Sequence, residues 1–142
     1  MKKIICCLIA VVLILVFTAA TVYAYNSGKA QKRLDELKNV PISENISYVA
    51  QCSMTGNLSG CGDGIDYMGI LVIKSELSEQ EIQTVYNSFD VEKAISADVM
   101  AYDRAVHFEE LENLSDLSGV YIVFNGCESN NPLLWLFDAR GW

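Results

Sequence analysis

The chain has 142 residues, 51% of them hydrophobic, with 18 acids against ten bases and a net charge of −8. That length holds one folded domain, and its acidic balance argues against a nucleic-acid partner, because a negative surface repels phosphate. The charge is also uneven: from Asn39 onward four bases face 16 acids, a net of −12, whereas no acid precedes Asp35.

Lys2 and Lys3 open the chain and are followed by an uncharged run of 22 residues, Ile4 to Tyr25. As a helix this run is about 33 Å long, enough to cross a hydrocarbon core of about 30 Å. Tyr23 and Tyr25 sit where a spanning helix meets the headgroups. The same stretch reads as an export signal, with Val22-Tyr23-Ala24 as a cleavage site after Ala24. Residues 1–25 are therefore expected to be a signal anchor or a cleavable signal peptide, with residues 4–25 the contact to the membrane. Cys6 and Cys7 lie too near the start for lipoprotein processing. Lys29, Lys32, Arg33 and Lys38 follow the apolar run, and counting them would hold the rest of the chain in the cytosol. The signal-like start and the cysteines beyond it weigh the other way, so the expectation is a single-pass protein with an extracytoplasmic domain, or a secreted domain if cleavage occurs.

Residues 26–41 are polar and mixed in charge, and are expected to form a stalk with a short helical stretch from Lys29 to Leu37. The folded domain is expected over 42–142. Ile46, Tyr48, Ala50 and Cys52 alternate with polar residues and predict a half-buried strand that places all four on one face, with Val49 as the exception. The glycines between Met54 and Asp66 predict an open loop. Tyr67 to Ile73 is an unbroken apolar run, the pattern of a central strand covered on both faces.

Ser78 with Glu81 three residues on is a capping box, and Leu77 with Ile82 supplies a hydrophobic staple around it. Ile82, Val85, Tyr86 and Phe89 then follow helical spacing, which predicts a helix over Glu79 to Phe89. Residues 90–103 fit either helix or strand, and a strand is expected from about Arg104 to Leu111. Val120 to Phe124 is a second apolar run and a second central strand. Leu133 to Phe137 is apolar enough to pack back on the core. Together these predict an α+β fold: a targeting helix, then a small, mostly antiparallel sheet with one amphipathic helix packed on it.

The chemistry-bearing candidates are few. Cys52, Cys61 and Cys127 could form one disulfide with one thiol left over, and the sequence leaves the pairing open. If the two apolar strands are antiparallel, Cys52, Cys61 and Cys127 all gather at one end of the sheet. His107 is the only histidine; with Cys127 as nucleophile and Glu109 as orienting acid it would make a thiol–imidazole site. It reads more simply as the polar face of a strand. No Cys-x-x-Cys spacing supports a metal held by the three thiols and His107, and Asp63-Gly64-Ile65-Asp66 lacks calcium-loop spacing and reads as a turn. Sequons occur at Asn45, Asn57 and Asn113. No cofactor motif and no nucleophile elbow is present. The sequence therefore points to a binding module whose partner is an envelope protein or an extracellular ligand. The rival readings are a small enzyme built on Cys127 and His107, or a purely structural envelope component.

Overall fold

A computed structural model of the chain describes residues 2–58, 64–129, 134 and 137–138. It is an α+β protein. Helix α1 (Lys2–Lys38) leads into β1 (Ile46–Gly56) and β2 (Ile65–Ser75), then α2 (Glu79–Val85) and β3 (Asp90–Lys93). A hairpin of β4 (Asp98–Ala101) and β5 (Arg104–His107), the one-turn α3 (Glu109–Glu112) and β6 (Val120–Ser129) complete it. The main sheet has the order β1-β2-β6-β3, with every neighbouring pair antiparallel.

The two apolar runs form the two central strands. Every residue of β2 except Lys74 is buried, as expected for a strand covered on both faces. The pairing of Ile70 with Phe124 and of Ile73 with Tyr121 sets which residues share a face. Leu71, Ile73, Tyr121 and Val123 point to one side and pack with Leu34 and Leu37 of α1 and with Ile82 and Tyr86 of α2. Met68, Ile70, Val72, Ile122 and Phe124 point to the other, where Val99 and Ala101 of the hairpin and Leu111 of α3 cover them.

The α2 start is as the sequence implies. Ser78 accepts from the Glu81 backbone N–H, and the Glu81 carboxylate accepts from the Ser78 N–H at 2.8 Å. Leu77 packs into the same cluster as Ile82. The helix ends at Val85 rather than Phe89, because Tyr86 leaves helical geometry and the chain turns so that the Phe89 N–H reaches the Tyr86 carbonyl. The Gln83 side chain bonds the Phe89 carbonyl and closes that turn. Similarly, the strand expected over Arg104 to Leu111 ends at His107, where α3 begins and carries Leu111 into the core.

β1 departs from simple alternation. A bulge between Tyr48 and Ala50 inserts one residue against β2, and such an insertion reverses which face the following side chains take. Ile46 and Tyr48 therefore lie on the α1 side, while Ala50 and Cys52 join the opposite cluster.

The largest difference concerns the stretch expected to be a stalk. Residues 26–38 continue α1 without a break, giving a helix of 37 residues. Ala30, Leu34 and Leu37 fall on one face and are buried against the sheet. Burying each leucine contributes about 1.5–3 kcal/mol. Gly69 is what admits the helix: a Cβ there would sit 2.3 Å from the Leu34 backbone nitrogen and 2.6 Å from the Arg33 carbonyl carbon. Only glycine allows the two backbones to come this close. The first part of α1 is different, with Ile4 to Phe17 exposed and no buried residue before Asn26. It is long and apolar enough to cross a membrane or to serve as a signal sequence.

Candidate functional site at the helix–sheet joint

Where α1 leaves its apolar stretch it meets the sheet through Asn26, a polar side chain with no solvent exposure. Its Nδ2 donates to an Asp138 carboxylate oxygen at 2.8 Å, and its Oδ1 accepts from the Tyr67 hydroxyl at 2.9 Å. The Thr55 hydroxyl donates to the Asn26 carbonyl at 3.3 Å. Burial pushes the Tyr67 phenol up from its ordinary value, which keeps it a neutral donor. A buried amide is tolerated because its polar atoms are matched, and removing a partner would leave others stranded. Leu134 packs beside Cys127, Tyr67 and Ala30, so this part of the C-terminal segment returns to the core as expected. Leu133, Trp135 and Leu136 of that apolar stretch lie outside the described residues.

Two turns along α1, Arg33 reaches β6. Its Nη2 and Nε donate to the Cys127 sulfur at 2.9 and 3.2 Å, and its Nη1 donates to a Glu36 oxygen at 3.0 Å. Asn125 donates to the same Glu36 oxygen at 2.8 Å and to the Arg33 carbonyl at 3.0 Å. Partial burial opposes the Arg33 charge, but the bonds to Cys127 and Glu36 outweigh it and hold the guanidinium above its ordinary range. The Asn125 amide, followed by Arg33, holds the Glu36 carboxyl below the usual glutamate range, despite some desolvation. Arg33 thus spends its charge inside the domain, which a count of basic residues along the sequence cannot register.

The sequence candidates are dispersed. Cys52 and Cys127 are both free thiols, and they project from opposite faces of the sheet, Cys52 opposite Ile70 and Cys127 opposite Tyr67. A disulfide needs its two β-carbons about 3.8 Å apart, so these two do not pair across the sheet. Cys61 lies outside the described residues, as does Asp63, and no disulfide is present among the described ones. Asp66 is buried near the start of β2, opposite Gly56, and its carboxylate accepts from the Leu58 N–H at 2.8 Å, so the turn expected over 63–66 gives way to strand from Ile65.

His107 belongs to the hairpin on the face opposite α1. Its Nδ1 lies 2.8 Å from Asp98 and its Nε2 lies 3.6 Å from Glu112. The bond to Asp98 raises its pKa, with smaller help from Glu112 and against slight desolvation. Cys127 bonds Arg33 on the α1 side, so His107 and Cys127 share no contact and form no nucleophile–base pair. Among the described residues no three His, Cys, Asp or Glu side chains are placed to hold a metal.

The largest opening is a polar cleft of about 950 Å³ at the end of the sheet farthest from the apolar stretch, between Ser47, Lys74, Glu81 and Tyr121. A smaller one of about 280 Å³ lies beside β3, lined in part by Met68, Met100, Tyr102 and Phe124. The first is lined by ionisable side chains, Glu44, Lys74, Glu76 and Glu81 among them, and the second sets Asp90 and Glu92 beside apolar ones. The best-built constellation is the joint itself, Asn26–Tyr67–Asp138 and Arg33–Cys127–Glu36–Asn125, whose chemistry is the locking of a helix to a sheet. Comparison of the chain with family models, curated proteins and solved structures finds no match.

Proposed function

We propose that the protein is a single-pass, membrane-anchored binding module whose acidic domain stands outside the cytoplasm and engages another envelope protein or an extracellular ligand. The observation that carries this reading is α1: one helix whose first part is apolar and bare, and whose last part is locked into the sheet by Asn26, Arg33 and the Gly69 notch. Such a joint fixes the domain against the bilayer instead of letting it swing on a tether. A helix that runs unbroken through Val22-Tyr23-Ala24 would have to unwind before a peptidase could cut it, which favours the anchor over the cleaved and secreted form. Electrostatics points to partners that are neutral or basic.

Three measurements test the reading. Fractionation of cells making the full chain, compared with a chain lacking residues 1–25, should find only the former in the membrane, and a pull-down from intact cells should recover a specific partner. Impermeant thiol reagents added to intact cells should label Cys52 or Cys127 after mild loosening of the fold. Labelling that requires the membrane to be broken places the domain in the cytosol and contradicts the reading.

A further inference from the structure

The two edges of the main sheet are built differently. β3 is four residues long and carries Asp90, Glu92 and Lys93, the short, charged kind of edge that resists pairing with another chain. β1 is 11 residues long and contains neither a charged residue nor a proline. Its backbone pairs with β2 on one side; the Ile46 N–H turns back to the Ser43 carbonyl, and among the described residues no backbone group from Ala50 to Gly56 bonds anything but β2. The bulge at Tyr48–Ala50 interrupts the first part, which leaves Ala50 to Gly56 as a regular edge, accessible from Gln51 to Met54 and buried at Ala50, Thr55 and Gly56. Such a row of free N–H and C=O groups is a template for an added strand.

The surroundings indicate what kind of strand. α3, with Glu109, Glu110 and Glu112, packs over β1 on one face. On the other face Gln31 bonds both Ser53 and Asp35, and the Lys38 carbonyl accepts from the Tyr48 hydroxyl. The edge is therefore neutral, with three glutamates on its α3 flank and Asp35 and Lys38 on its α1 flank. A second copy of this chain does not suit it. β1 runs back along α1, since Asn26 meets Thr55, Gln31 meets Ser53 and Lys38 meets Tyr48. An antiparallel β1–β1 pair needs a two-fold axis across the strands, which would point the second apolar helix away from the membrane holding the first. Two domains of like charge would also repel.

We infer that the Ala50–Gly56 edge of β1 receives an extended, basic segment of a partner protein as a fifth strand of the sheet. This rests on the binding reading above and names its surface. The backbone ladder would supply affinity, and the glutamates of α3 would select lysine or arginine on the side chains facing them.

The test uses the full chain in nanodiscs of zwitterionic lipid and three synthetic octapeptides. One alternates lysine and valine, one alternates glutamate and valine, and the third is the lysine peptide with alternate backbone amides methylated. The lysine peptide is expected to slow amide exchange in Ala50 to Gly56 about fivefold or more at saturation while leaving Asp90 to Lys93 unchanged. The glutamate peptide should bind about tenfold more weakly or worse, and the methylated peptide should give no protection, because it keeps the charge and loses the strand donors. Absence of protection in β1, or equal binding by the methylated peptide, overturns the inference. If a cellular partner is captured and β1 exchange does not change in its presence, the edge is not the surface although the module binds. Protection of β1 by the lysine peptide without a cellular partner supports the edge and counts against the module.

Discussion

Replacing Gly69 by alanine tests the joint at its narrowest point. The new methyl group would stand 2.3 Å from the Leu34 nitrogen, where ordinary Cβ contacts begin at 3.4 Å, so α1 and β2 must separate by about 1.1 Å. The obstructing atoms are helix backbone, which cannot rotate away as a side-chain end could. Overpacking that has to be relieved by backbone movement costs about 1–3 kcal/mol. Here the same movement also loosens Leu34 and Leu37, so a loss of about 3 kcal/mol is expected. Denaturant unfolding of the full chain in detergent micelles, followed by near-ultraviolet circular dichroism, would read it as a lowered midpoint with little change in slope. Gly28→Ala is the internal control: it lies on the same helix, its Cβ would meet nothing within 4 Å, and it should stabilise by about 0.5–1 kcal/mol. If Gly69→Ala changes stability by less than about 0.5 kcal/mol, as an ordinary surface substitution would, the helix does not lie where the Gly69 notch requires.

Further predictions concern the buried polar groups. Asn26→Ala removes the buried hydrogen bonds to the Tyr67 hydroxyl and the Asp138 carboxylate, and should cost about 2–4 kcal/mol in the same unfolding assay. Tyr86→Phe should instead raise stability by about 1 kcal/mol, because the Tyr86 hydroxyl is buried without a hydrogen-bond partner among the described residues. Burial, with a smaller contribution from Tyr48, pushes that phenol up to about 12, so ultraviolet titration should show it ionising after the exposed tyrosines. Stability should weaken at both ends of the pH range. Glu36 is held below its ordinary value, so its contribution is present above about pH 4.3 and is lost as pH falls through its folded value. His107 is held above its ordinary value, so its contribution is present below about pH 6.5 and is lost as pH rises through its folded value. Asp98→Asn should lower the His107 midpoint seen by NMR, and Glu36→Gln should flatten the acid limb of the stability curve.

Much of this fold can be read from local pattern. The capping box of Ser78 and Glu81 involves residues three apart, and the runs that become β2 and β6 are apolar on every position, so both signals are complete within a short window. What could not be read there depends on partners distant in sequence. The bulge at Tyr48–Ala50 exists only relative to β2, and it sends Cys52 to the face away from Ile46. Ala30, Leu34 and Leu37 do recur at helical spacing, yet the intervening lysines, arginine and acids make the stretch look like a solvated stalk until Gly69 is found beneath it. The bonds from Arg33 to Cys127 and from Asn26 to Asp138 span 94 and 112 residues. Cys127 and His107, the pair of the rival enzyme reading, stay apart for a related reason, because strand parity and the hairpin put them on different sides of a sheet whose register no short motif encodes.

The central claim is that the apolar helix and the acidic domain are one rigid body joined through residues 26–38. Native-state hydrogen exchange on the full chain in nanodiscs tests it most directly. The account predicts that amides from Ala30 to Leu37 exchange only with the opening that releases β2, with matching free energies and a common dependence on denaturant. Exchange of those amides at the rate of an isolated, fraying helix, while β2 stays protected, would show that the segment is a free stalk and would contradict the account.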